Sequence, residues 1–162
     1  MNFIKYPLAL SLLLFNLSSF AISATAKYAL LIDADTGGII YEKNANIKMP
    51  PSSMSKLMTV YLAFDRIKNG SLQLNDKVVI SKKAWSKRGS RMFLPLNKEA
   101  TVSDLLHGII IQSGNDASIA IAESIAGSEG AFVNRMNIVS KKIGLKNSRF
   151  ANSTGWPNRN HY

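Results

Sequence analysis

The chain has 162 residues, of which 46% are hydrophobic and 19% are charged, so it forms about one domain with a buried core and is too apolar to be disordered. It contains no cysteine, which excludes a disulfide scaffold, a thiolate nucleophile and a cysteine-ligated zinc site. The net charge of +10 fits a nucleic-acid partner or an anionic surface such as a bacterial wall or membrane.

Residues 1–26 have the composition of a secretory signal peptide. One charged residue, Lys5, precedes an apolar stretch at residues 7–15, and a small-x-small cleavage pattern follows at residues 24–26. The apolar stretch is shorter than the ~20 residues that span a bilayer, and an uncleaved membrane anchor is the alternative interpretation. Either one places residues 27–162 outside the cytoplasm, in the periplasm or at the membrane surface, where no nucleic-acid partner is expected.

The exported part begins with a predicted β-hairpin, because two β-prone runs, residues 28–32 and 39–41, flank a turn with two glycines. A helix is predicted from Ser52 and Ser53 to Asn69. Its core-facing side is expected to carry Met54, Leu57, Met58, Tyr61, Leu62 and Ile67.

The stretch at residues 72–96 is predicted to be mostly an irregular surface excursion. It contains one predicted strand at residues 77–80 and a basic segment that includes Trp85. Such a segment can stack on and neutralise nucleic acid, but export favours a solvated face or a contact with anionic wall polymers.

Three further helices are predicted in the second half of the chain. Residues 101–104 offer capping chemistry for the first, residues 113–115 break it, and the second covers residues 116–126. The third covers residues 129–143 and ends at Gly144. At least four helices therefore accompany a sheet of two or three strands, which is an α+β architecture.

Ser53 and Lys56 are the candidate catalytic pair. Residues three apart near the start of a helix project from one face, so an amine can reach a hydroxyl. A serine hydroxyl needs a base, and lysine is a base only when burial or a second cation lowers its pKa. The same spacing also fits an N-capping Ser53 with Lys56 solvated on the helix surface.

The surroundings of this pair carry a family resemblance. Residues 51–59, Pro-Ser-Ser-Met-Ser-Lys-Leu-Met-Thr, resemble the nucleophile motif of the low-molecular-mass penicillin-binding proteins, the serine-type D-Ala-D-Ala carboxypeptidases of peptidase family S11. Ser113-Gly114-Asn115 resembles the family's second motif, Ser-x-Asn. Further matches are residues 28–41, 88–94 and 144–157. Ser52 and Ser55 stand where alanine and threonine are usual.

The resemblance implies an acyl-enzyme mechanism. Ser53 would attack the peptide carbonyl between two D-alanines of a peptidoglycan stem peptide, Lys56 would accept the proton, and Ser113 would relay a proton to the leaving amine. Asn115 would bind and position the substrate and would also position Lys56. β-Lactams would acylate the same serine, and no cofactor or metal is implied.

The family's third motif, Lys-Thr-Gly on a strand that lines the site, is not found in the sequence. We therefore expect an N-terminal portion of the penicillin-binding-protein, or transpeptidase-like, fold, in which helices pack on an antiparallel sheet whose C-terminal strands are missing. A separate C-terminal polypeptide is the partner that this expectation implies. That strand would supply a cation near Lys56, an oxyanion-hole amide and groups for the substrate carboxylate.

Two other functions stay open. One is a serine β-lactamase, which also uses Ser-x-x-Lys but in class A has Ser-Asp-Asn as its second motif. The other is an inactive truncated remnant or an exported wall-binding protein. Four remaining polar residues are interpreted as ordinary ones: two histidines in a helix or tail and two helix-start charges. They are His107, His161, Asp116 and Glu123.

Overall fold

The structure, a computed structural model, describes residues 22–162 as two units, one up to Ile47 and one from Lys48. Residues 1–21, which hold most of the predicted signal peptide, lie outside the described part. Between residues 22 and 162, none of the helices has the length and apolarity needed to cross a membrane.

The first unit contains the predicted hairpin. Strands β1 (Ala29–Ile32) and β2 (Ile39–Lys43) pair antiparallel, with Leu31 opposite Tyr41. The turn closes because Asp33 accepts hydrogen bonds from backbone and side chain of Thr36. The predicted opening pair of antiparallel strands is therefore confirmed.

The second unit contains five α-helices, a 3₁₀ turn and a two-stranded antiparallel sheet. In chain order the elements are the 3₁₀ turn Ser52–Ser55, α1 (Lys56–Lys68), β3 (Lys77–Val79), α2 (Lys82–Ser86), β4 (Glu99–Thr101), α3 (Val102–Gln112), α4 (Asn115–Ala126) and α5 (Glu129–Lys142).

Helix α4 is the centre of the second unit. Its first eight residues, Asn115–Ala122, are all buried, and α1, α2, α3 and α5 all pack against it. Helix α3 begins with a capping box in which Thr101 and Asp104 each bind the other's backbone N–H, as the sequence predicted. Ser113, in the left-handed conformation at φ 54°, ends α3 so that α4 can start two residues later. This break places the Ser-Gly-Asn motif between the two apolar helices.

The prediction that residues 72–96 are mostly an irregular surface excursion is confirmed in part: most of these residues are exposed and lie outside helices and strands, but several are buried. Ile80, Ala84 and Leu94 are buried in the core around α4, and residues 82–86 form the unpredicted helix α2. Strand β3 pairs with the unpredicted β4, so the described residues hold two separate two-stranded sheets where one sheet was expected. The loop is therefore anchored by a few buried side chains between exposed basic ones.

The predicted apolar face of α1 is only partly buried. Met58 and Leu62 pack in a core with Phe132 and Met136 of α5. Other predicted core residues are about half or more exposed, namely Met54, Leu57 and Tyr61. The apolar stripe of α1 is wider than the face that the second unit covers.

Candidate active site

Ser53 and Lys56 are brought together by the 3₁₀ turn that precedes α1. In a 3₁₀ helix the side chains at positions i and i+3 eclipse each other. The Nζ of Lys56 accordingly lies 3.2 Å from the Oγ of Ser53, which is hydrogen-bond distance. The pair therefore has the geometry that proton transfer from hydroxyl to amine requires.

Lys56 is buried, with 4% of its surface exposed, so the interpretation of a solvated lysine was wrong. Its Nζ donates a hydrogen bond of 2.7 Å to the carbonyl oxygen of Thr154. Burial, helped by the charge of Lys87, lowers the pKa of Lys56 to about 8. A substantial fraction of this amine is neutral near pH 8, and a neutral amine can accept a proton.

The carbonyl that holds Lys56 belongs to residues 150–156, here called the lysine-anchoring loop. Asn152 organises it, because its Oδ1 accepts hydrogen bonds from backbone N–H groups of Thr154, Gly155 and Trp156. Its Nδ2 donates to the carbonyl oxygen of Trp156. One side chain thus folds five residues into a compact turn.

Helices α1 and α5 fix this loop from both sides. The Thr59 hydroxyl of α1 donates to the carbonyl oxygen of Ser153 at 2.7 Å, and Glu129 of α5 accepts from the Ser153 N–H and hydroxyl. Burial would raise the pKa of Glu129, but an ion pair with Lys83 and the Ser153 hydrogen bonds hold that pKa below its usual value. Glu129 is therefore an ionised anchor of the loop.

Gly155 lies directly against the residue before the nucleophile. It has φ +79°, and a Cβ at this position would overlap the carbonyl group of Ser52 and come within 3.0 Å of the Ser53 nitrogen. Ser52 itself has φ 50°, a left-handed conformation that non-glycine residues seldom adopt. The backbone of the 3₁₀ turn that carries Ser53 thus packs against position 155 so closely that only glycine fits there.

Ser113 and Asn115, the other predicted site residues, occupy different surroundings. Ser113 lines a cavity of about 360 Å³ together with Ser53 and Lys56. Asn115 is buried at the start of α4, and its Nδ2 donates to the carbonyl oxygen of Arg88 at 2.8 Å. Three of the four predicted side chains therefore line one cavity, while Asn115 ties residue 88 to α4.

His161 is not the ordinary tail residue that the sequence suggested. It is 4% exposed, and its Nε2 lies 2.8 Å from the hydroxyl of Ser55, whose proton is donated to the carbonyl oxygen of Ser52. The Ser55 hydroxyl thus links the imidazole to the Ser52 carbonyl, and burial lowers the pKa of His161. The imidazole thus contacts the 3₁₀ turn that carries Ser53. No sequence pattern around residue 161 pointed to this role.

Asp116 follows Asn115 in the first turn of α4, as a helix-start charge does, but it also holds a loop. Its buried carboxylate accepts hydrogen bonds from the backbone N–H groups of Met92 and Leu94, 3.1 and 3.2 Å away, and from that of Ala117. The sequence could not indicate this second role, because the partners are 22 and 24 residues away.

The comparisons with known proteins agree on one family. A family model described as D-alanyl-D-alanine carboxypeptidase matches residues 16–162. The D-alanyl-D-alanine carboxypeptidase DacF of Bacillus subtilis is 47% identical over 137 residues, which are 85% of this chain and 35% of that protein. The chain spans about a third of the length of the curated relatives it matches.

Solved structures give the same result. Penicillin binding protein 5 from Haemophilus influenzae aligns with a TM-score of 0.84 and 37% identity, over 87% of this chain and 42% of that one. Penicillin-Binding Protein D2 from Listeria monocytogenes in the ampicillin bound form aligns with a TM-score of 0.74 and 26% identity, over 85% of this chain and 55% of that one.

Proposed function

Because the chain belongs to the D-alanyl-D-alanine carboxypeptidase family and has its penicillin-binding-protein fold in part, we propose that it carries the nucleophilic half of a serine-type carboxypeptidase site. The substrate is the D-Ala-D-Ala end of a peptidoglycan stem peptide. One observation carries this proposal: the Ser53 hydroxyl lies 3.2 Å from a buried lysine amine whose pKa is lowered to about 8.

The first chemical step forms an ester on Ser53. One N–H of the neutral Lys56 amine donates a hydrogen bond to the Thr154 carbonyl oxygen, and the nitrogen lone pair takes the proton of the Ser53 hydroxyl. The Ser53 oxygen then attacks the carbonyl carbon between the two D-alanines. Collapse of the tetrahedral intermediate breaks the peptide bond and releases the terminal D-alanine as its amine accepts a proton.

Ser113 and Lys56 are the groups that deliver this proton. Both line the cavity that opens at Ser53, and this shared lining supports a relay in which the Ser113 hydroxyl passes a proton from Lys56 to the leaving nitrogen. A water molecule then hydrolyses the ester, with Lys56 as base again. Asn115 holds the loop at Arg88 against α4 and, in this proposal, also contributes to substrate positioning.

The chain acts outside the cytoplasm in this proposal, with residues 1–26 as its export signal. The named relatives are carboxypeptidases and penicillin-binding proteins, one of them solved with ampicillin bound. That family membership supports peptidoglycan as the proposed substrate and β-lactams as the proposed acylating ligands.

The proposal is tested by incubating the purified chain with benzylpenicillin and measuring its intact mass. We expect one covalent adduct, because a β-lactam presents a strained amide to the activated serine and leaves an ester that hydrolyses slowly. Ser53→Ala is expected to give no adduct, whereas Ser86→Ala, at an exposed serine outside the cavity, should react like the parent.

Each other outcome contradicts the proposal. No adduct and unchanged antibiotic would support the inactive remnant or wall-binding protein. Rapid loss of the antibiotic without a trapped adduct would support the serine β-lactamase. An adduct that persists in Ser53→Ala would mean that a residue other than Ser53 is the nucleophile.

Acylation is expected to depend on pH through Lys56. The neutral amine is the base, and its pKa is about 8, so the adduct should form faster as the pH rises through about 8 and then level off. Since Lys87 contributes to this lowering, Lys87→Met should raise the pKa of Lys56 and move the midpoint to higher pH. Rates of adduct formation between pH 6 and 10 measure the midpoint.

Lys82→Met is the matched control for the pH experiment. It removes the same charge from an exposed position on α2, and Lys82 is not among the groups that shift Lys56. Its midpoint should equal that of the parent. Equal midpoints for the parent and Lys87→Met would mean that Lys87 does not contribute to the lowered pKa of Lys56.

A further inference from the structure

A second groove lies in the same unit as the serine cavity and shares no lining residue with it. Its volume is about 660 Å³, and Trp85, Arg88, Arg91 and Phe93 form part of its wall. Two exposed aromatic rings are thus combined with two guanidinium groups. The catalytic proposal gives none of these four side chains a role.

The side chain of Phe93 is exposed to solvent, and the hydrogen bonds of the neighbouring backbone fix its conformation. The side chain is 75% exposed and the residue has φ +61°, which is rare for a bulky residue. The Asp116 carboxylate accepts the N–H groups of Met92 and Leu94 on either side, and so fixes this conformation. Strain of this kind persists only where the surroundings impose it, and it concentrates at binding sites.

The two arginines leave their charge available to a ligand. The Arg91 guanidinium lies 4.8 Å from the centre of the Phe93 ring, and Arg88 is exposed. Among residues 22–162, the ion pair of Lys83 with Glu129 is the one salt bridge, so neither arginine has a carboxylate within 4 Å there. Guanidinium groups bind carboxylates and phosphates in a bidentate way.

The groove is mechanically connected to the Ser-Gly-Asn motif. Asn115 donates from its side chain to the Arg88 carbonyl and from its backbone to the Ser90 carbonyl, both at 2.8 Å. Ser90 donates in turn to the carbonyl oxygen of Gln112 at the end of α3. A polymer bound in the groove therefore contacts a loop that is tied to both sides of the motif.

We propose that this groove binds the carboxylate-bearing glycopeptide of peptidoglycan away from the reacting D-Ala-D-Ala end. The arginines bind stem-peptide carboxylates, and the faces of Trp85 and Phe93 pack on sugar rings. The choice of polymer rests on the proposed function. Single-stranded nucleic acid would use the same kinds of group, phosphate-binding cations and stacking rings, and is an outcome of the test.

The test is co-sedimentation with purified peptidoglycan sacculi stripped of phosphodiester polymers. It uses the Ser53→Ala chain, so that acylation plays no part in retention. The double variant Arg88→Gln/Arg91→Gln is expected to bind about tenfold more weakly, and Phe93→Ala about fivefold. Lys141→Gln/Lys142→Gln removes the same charge from the exposed end of α5 and should bind like the parent.

Urea unfolding midpoints equal to that of the parent show that the groove variants, which change exposed or half-exposed side chains, are folded. Sacculi whose stem peptides have been removed by an amidase should bind the parent as weakly as the double variant binds intact sacculi. If the two double variants, Arg88→Gln/Arg91→Gln and Lys141→Gln/Lys142→Gln, lost the same affinity for sacculi, the proposal would be overturned, because net charge would then explain retention. Tighter binding to oligo-dT than to sacculi would also overturn it.

The two proposals fail separately. A penicillin adduct on the parent chain without groove-dependent sedimentation would overturn the groove alone. Groove-dependent sedimentation without an adduct would overturn the proposed chemistry and leave a peptidoglycan-binding surface.

Discussion

Gly155→Ala is expected to lower the stability of the chain by about 2–5 kcal/mol and to slow acylation of Ser53 about 100-fold. The left-handed conformation alone costs an L-residue about 1–2 kcal/mol, and the new Cβ would also overlap the Ser52 carbonyl group, which adds about 1–3 kcal/mol of overpacking. Relief of that overlap must displace Ser52 or the lysine-anchoring loop. Displacements of about 1 Å in a catalytic pair can cost about 100-fold in rate.

The matched control is Gly127→Ala at the end of α4. Gly127 has φ +76°, close to the φ +79° of Gly155, but no atom lies within 4 Å of its added Cβ. It therefore measures the conformational cost alone, and acylation should be unchanged. Urea unfolding and the rate of penicillin adduct formation supply both readouts. Equal destabilisation by the two variants would mean that the overlap with the Ser52 carbonyl group is relieved with no loss of stability, which would contradict the prediction.

Local patterns were sufficient where the interaction is itself local. Ser53 and Lys56 are one turn apart, so their spacing predicted their contact. The capping box of α3 lies within four residues, and its two partners were recognisable in the sequence. The hairpin β1–β2 is likewise closed by one short turn.

The environment that gives Lys56 its lowered pKa could not be predicted in this way. Thr154, which accepts its hydrogen bond, is 98 residues away, and His161 is 106 residues from Ser55. The segment around Asn152 was singled out only as part of the family resemblance. Its role follows from the way α1 and α5 enclose it, which no local pattern encodes.

The buried anchors and the short helix that the sequence did not predict within residues 72–96 have a related explanation. Strand β3 was predicted, but helix α2 has five residues and strand β4, just beyond this stretch, has three, too few for a periodic pattern to emerge. The exposed lysines and arginines dominate the composition there, while Ile80, Ala84 and Leu94 provide the burial. The basic composition therefore predicted the exposed surface of this stretch but not the buried side chains that anchor it.

Asp116→Ala is expected to destabilise the chain by about 3–5 kcal/mol. The carboxylate is 1% exposed and accepts three backbone hydrogen bonds, so its removal strands the Met92 and Leu94 N–H groups away from water. Each stranded donor costs about 1–3 kcal/mol. The free energy of unfolding in urea measures the loss, and the released loop should also give Phe93 the mobility of an ordinary surface residue in NMR relaxation.

Asp104→Ala is the matched control, because it removes a helix-start charge that holds no distant loop. Asp104 occupies the first turn of α3 as Asp116 occupies that of α4, but its partners are exposed and lie within the same helix start. Losing a capping and dipole interaction there should cost about 1 kcal/mol. If Asp116→Ala cost no more than Asp104→Ala, the carboxylate would be only a helix-start charge, and the constraint on Phe93 would have to come from the chain on either side of it. Asp116→Ala is expected to cost about 2 kcal/mol or more beyond the cost of Asp104→Ala, and this difference in the free energy of unfolding measures how strongly Asp116 of α4 holds the loop around Phe93.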